Sequence, residues 1–125
     1  MEPPLSGHER ITLFHGTTDE SAAALMKDGW KSRSGGVGGN MGQTKYLYLS
    51  THYEDALWFA QEKGSDVVLS VEVDRDCLAV DPEDGVAEDL EGELALPYGL
   101  PGKLVATGPI PPEAFSRADP ALAFK

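Results

Sequence analysis

The stretch Asp66–Asp74 (DVVLSVEVD) most constrains what this chain can fold into. Val67, Leu69, Val71 and Val73 recur at every second residue, a spacing that lines one face of a strand and scatters around a helix. So apolar a strand cannot stand alone, because its amides and carbonyls need partners from neighbouring strands. Arg10–Phe14 (RITLF) alternates in the same way and is predicted to be one of them. Lys45–Ser50 (KYLYLS), Cys77–Val80, Glu93–Leu96 and Lys103–Thr107 read as further strands, the last two set around a Pro-Tyr-Gly turn.

Helices are confined by strong stop signals. Thr17 with Glu20, and Thr51 with Glu54, have capping-box spacing, in which a hydroxyl and a carboxylate satisfy the free amides of a helix start. They predict one helix through Ser21–Lys27, ended at Asp28-Gly29, and another to about Lys63, ended at Gly64. Pro111–Phe115 suits a brief helical turn. Residues 1–9 read as a loose lead-in, 34–42 with five glycines as a flexible loop, and 81–91 as an acidic loop. The expectation is a strand-rich α+β domain over residues 10–125 with two short helices.

Composition narrows the function classes. A chain of 125 residues with 41% hydrophobic residues suits one domain with a real core. The apolar run Ala56–Ala60 is too short to cross a bilayer, and the start Met-Glu-Pro-Pro lacks the form of a secretory signal, so a cytoplasmic setting with no membrane partner is expected. The lone Cys77 leaves no internal disulfide and no Cys-rich zinc site. Ten Lys and Arg against 21 Asp and Glu give a net charge of −11, which argues against sequence-independent nucleic-acid binding. It fits solubility, or a basic protein partner.

Familiar ligand motifs fail on inspection. After Gly42 the order Gln43-Thr44-Lys45 is wrong for a phosphate loop, and Met41 stands where a dinucleotide fingerprint needs its third glycine. His8, His15 and His52 have no metal-ligand spacing, so no metal is expected. No Gly-x-Ser-x-Gly elbow is present.

The informative segments are Leu13–Thr18 (LFHGTT) and Lys45–Thr51 (KYLYLST), each leaving a strand towards a helix. Together they resemble the ADP-ribosyltransferase superfamily, in the His-Tyr-Glu branch shared by diphtheria-toxin-like enzymes and poly-ADP-ribose polymerases. His15-Gly16-Thr17 matches the motif after the first strand, and Leu47–Thr51 the tyrosine-bearing strand. A second aromatic of that pattern falls eleven residues beyond Tyr48, on Phe59. The resemblance implies a split β-sheet core, and NAD+ as co-substrate.

Site roles follow from the same resemblance. Glu93 would be the acid that steadies positive charge on the ribose as the nicotinamide bond breaks. Glu91 gives a Glu-x-Glu arrangement with it. Tyr48 and Phe59 would grip the nicotinamide, Gly16 would pair with its carboxamide, and His15 would hold the adenosine-side ribose. Thr17 would line the same site, Ser50 and Thr51 would orient Glu93, and Lys31 or Arg33 would meet the pyrophosphate. The function so implied is a mono-ADP-ribosyltransferase of toxin or effector type, acting on a macromolecule, protein rather than nucleic acid, with an antitoxin or host target as partner. Two alternatives stand beside it: a tRNA 2′-phosphotransferase-like enzyme, similar in fold and also consuming NAD+, and a non-catalytic binding or inhibitor module.

Overall fold

The computed structural model describes residues 10–30, 47–97 and 100–118. They form a six-stranded antiparallel sheet with helices on both faces, an α+β architecture. In chain order the elements are β1 (Arg10–Thr17), α1 (Asp19–Asp28), β2 (Tyr48–Ser50), α2 (Tyr53–Glu62) and β3 (Val67–Asp74), then β4 (Leu78–Val80), α3 (Leu90–Leu94), β5 (Lys103–Ala106) and β6 (Phe115–Arg117). The spatial order is β4-β5-β2-β1-β3-β6. Short 3-10 turns at Arg75–Cys77 and Pro112–Ala114 lead into β4 and β6. Residues 1–9 and the glycine loop at 34–42 lie outside the described residues, as do Lys31 and Arg33.

The central strand is the one its alternation predicts. Val67, Leu69, Val71 and Val73 are all buried, and β3 pairs with β1 along its whole length, from Arg10↔Asp74 to Thr17↔Val67. These residues join Leu13, Leu47, Leu49, Leu104, Ile110 and Phe115 in the main core, which α1 closes with Ala22, Leu25 and Met26. Fully burying one such side chain stabilises the fold by about 1.5–3 kcal/mol. On the other face α2 sets Tyr53 and Ala56 against Val68, with Phe14 packed alongside. Phe14 meets the Tyr53 ring edge-on, with centroids 5.9 Å apart.

Several sequence expectations need correction. The first cap is Thr18 and not Thr17: its hydroxyl accepts from the Ser21 amide at 3.2 Å, whereas Thr17 completes β1 and is buried. Gly29 does close α1, at φ 76°. The second cap position is His52, without a side-chain cap bond, while Thr51 accepts the Gly102 amide instead. Glu93–Leu96 is not a strand. Asp89 accepts the Gly92 amide at 2.9 Å and starts α3, a third helix, so Glu93 lies on a helical turn. β6 follows the Pro-rich turn and was not foreseen, because three residues are too few to display a period. Among the described residues no helix is long and apolar enough to cross a membrane.

Candidate functional site

The structure sets the His15 ring against the Tyr48 backbone where β1 and β2 part. These two strands pair at a single position, Phe14↔Ser50, although β1 pairs with β3 through eight residues. The next residue along β1 is His15. Its Nδ1 lies 2.8 Å from the Tyr48 carbonyl oxygen, so a side chain spans the strands where backbone pairing stops. A carbonyl only accepts, so Nδ1 carries the proton and Nε2 is left as an acceptor.

His15 is half-buried, and its pKa is lowered from 6.5 to about 4. Burial is the largest cause, and the nearby charge of Lys63 acts in the same direction. The bond to the Tyr48 carbonyl opposes both and is outweighed. The ring is therefore neutral at physiological pH. It can accept a hydroxyl hydrogen at Nε2 and hold a ligand in place, but it is not a ready proton donor.

Gly16 has a packing task. A Cβ there would collide with the Ala56 carbonyl oxygen, so the room left by its missing side chain is filled by the α2 backbone and not by a ligand. This contact draws β1 onto α2 and puts the Gly16 carbonyl within reach of the helix end. Lys63, just after α2, donates from Nζ to that carbonyl at 3.0 Å. The residue is exposed, yet partial burial of its ammonium lowers its pKa. Sequence reasoning passed over Lys63 as the last residue of a helix, and only the docking of α2 on β1 places it near His15.

Phe59 has neighbours of its own. The Lys103 ammonium sits 4.9 Å from its ring centroid, and Trp58 packs edge-on at 5.1 Å. Lys103 also pairs with Asp55 at 3.4 Å. A ring face engaged by a cation is poorly placed to hold a second cation such as nicotinamide. Trp58 is 55% exposed on α2, Tyr53 is core, and Trp30 bridges to Ile110 and packs on the main core.

Glu93 is not gathered into the His15–Tyr48 arrangement. It is 1% exposed; Oε1 accepts the Val86 and Ala87 amides at 2.9 and 2.8 Å, and Oε2 the Lys103 amide at 2.9 Å. Burial alone would raise its pKa, but the three amides and the Lys103 charge more than offset this and hold it below the usual carboxylate range. The carboxylate thus ties the 81–89 loop and β5 to α3. Ser50 and Thr51 do not orient it: the Ser50 hydroxyl accepts the His52 amide, and Thr51 Oγ1 accepts the Gly102 amide and contacts His52 Nδ1. Glu91 forms an ion pair with Arg75. Among the described residues no cluster of three His, Cys, Asp or Glu could hold a metal ion.

No protein-family model matches the chain. Among curated proteins it is 32% identical over 80 residues to a probable RNA 2′-phosphotransferase of Pyrococcus furiosus, covering 61% of this chain and 38% of that protein. It is 34% identical over 70 residues to a probable RNA 2′-phosphotransferase of Pyrococcus abyssi, covering 56% of this chain and 33% of the relative. The chain thus matches well under half the length of either. These similarities overturn the expectation of a mono-ADP-ribosyltransferase, since both relatives carry the name of a different enzyme class. The toxin or effector reading, and the preference for a protein over a nucleic-acid partner, fall with it.

Proposed function

We propose that this chain is the NAD+-consuming part of an RNA 2′-phosphotransferase, removing a phosphate from the 2′ position of RNA and passing it to the nicotinamide-bearing ribose of NAD+. The observation that carries the reading is the pair of relatives with that name, matched over more than half of this chain. The ADP-ribosyltransferase-like resemblance of the His15-Gly16-Thr17 and Leu47–Thr51 segments supports the NAD+ part of it.

The site residues suit such a ligand. His15, neutral and with Nε2 open as an acceptor, would take a ribose hydroxyl of the dinucleotide and fix its orientation. NAD+ supplies an electrophilic anomeric carbon and a neutral leaving group. A phosphate oxygen of the RNA would attack that carbon as nicotinamide leaves with the bonding pair. A neighbouring hydroxyl of the same ribose would then attack the phosphorus, so that the RNA 2′ oxygen leaves with its electron pair and takes up that hydroxyl's proton. In this reading Glu93 supports the fold and does not touch the reacting sugar.

The test uses an RNA oligonucleotide with one internal 2′-phosphate, incubated with the protein and NAD+. Loss of the phosphate and release of nicotinamide are followed together, and equal amounts of the two products are expected. An oligonucleotide that keeps its phosphate at every NAD+ concentration would overturn the reading.

A further inference from the structure

We propose that Lys63 is a phosphate-binding residue, presenting its ammonium beside His15 to a phosphate of the substrates. The inference rests on the proposed function for the identity of those substrates. Its own basis is the placement of charge in the fold.

Most described cations are already engaged by carboxylates: Arg10 by Asp74, Arg75 by Glu91, Lys103 by Asp55 and Arg117 by Asp19. Lys63 has no such partner among the described residues. Lys27 on α1 also makes no described ion pair, but no described hydrogen bond ties it to β1 beside His15. In a chain with a net charge of −11, an accessible cation without a carboxylate is a scarce resource for any anionic ligand. Lys63 is also held in place. One of its three N–H donors goes to the Gly16 carbonyl at 3.0 Å, which leaves two for phosphate oxygens. Its ammonium is tied to the carbonyl of the residue that follows His15, so a ligand held at the His15 ring lies against the same end of β1. The phosphate is either the RNA 2′-monoester or the NAD+ pyrophosphate. Both offer the same charged oxygens, and kinetics tells them apart.

Steady-state kinetics would be run on the wild type, Lys63→Met and Lys63→Arg with NAD+ and the 2′-phosphorylated oligonucleotide, after matching their melting temperatures. Lys63→Met is expected to raise the KM for one substrate about tenfold or more, and Lys63→Arg to restore most of it. A higher RNA KM assigns Lys63 to the monoester, and a higher NAD+ KM to the pyrophosphate. Unchanged KM values in a folded Lys63→Met overturn the proposal. So does an equal loss in both variants, since only the contact with Gly16 would then matter. If the wild type shows no turnover, the proposed function fails, and Lys63 is judged by binding. Anisotropy with phosphorylated and unphosphorylated oligonucleotides and calorimetry with NAD+ should reveal phosphate-dependent binding by the wild type that Lys63→Met loses. No such binding, or no loss, overturns it.

Discussion

His15 and Glu93 are both titratable, and the fold sets them different tasks. Unfolded His15 takes a proton near pH 6.5, whereas the folded ring resists protonation until about pH 4. Its contribution to stability is therefore complete above about 6.5 and lost as the pH falls towards 4. Urea unfolding at pH 7.5 and 5 should show a loss of stability that His15→Gln reduces. The Glu93 window lies lower, because its folded pKa is depressed: its contribution is present above the ordinary value of 4.5 and lost below it. Replacing it with Gln turns a donor towards the Lys103 amide and removes the charge that holds three N–H groups. Glu93→Gln should cost about 2–3 kcal/mol in urea unfolding and speed amide exchange at Val86, Ala87 and Lys103. An unchanged midpoint would refute the structural role given to this carboxylate.

The docking of β1 on α2 is the element on which the site depends. Gly16→Ala adds a methyl group against the Ala56 carbonyl, and neither backbone can retreat without disturbing the β1–β3 ladder or the helix. A loss of about 3 kcal/mol is expected in thermal unfolding, together with a weaker pKa depression at His15 as Lys63 is displaced. NMR titration of the ring reads the second effect. The core behind this contact is more ordinary: Leu69→Ala, at a fully buried position of β3, should cost about 2–5 kcal/mol by chemical denaturation. Both strands of the β1–β3 pair were legible beforehand because Arg10–Phe14 and Asp66–Asp74 alternate, although the run of β1 on through Thr17 was not. α3 was not, because Leu90–Leu94 is too short to show a helical period and the overlapping Glu93–Leu96 (ELAL) reads like a strand.

At the scale of the whole molecule, the surface charge shapes how RNA could be bound. A chain with a net charge of −11 has little attraction for a long phosphate backbone, so recognition would centre on one or two phosphates. The RNA KM should then rise only about threefold between 50 and 200 mM salt, as expected for a single phosphate contact to a single strand. A rise of a hundredfold or more would mean an extended basic groove. Under the proposed function net charge is a poor guide to the partner, because it sums over the entire surface, whereas recognition of one phosphate would need a single well-placed cation. The sequence alone determined the α+β class, the strand alternation, the helix stops and the segments that bear His15 and Tyr48. The first three depend on chemistry between residues close along the chain, and the last on a resemblance carried by short motifs. Only the tertiary structure decided that Glu93 is a buried anchor, that Gly16 makes room for a helix, that Phe59 already faces Lys103, and that Lys63 stands beside His15. Those outcomes depend on groups brought together from distant segments, and local spacing carries no record of such meetings.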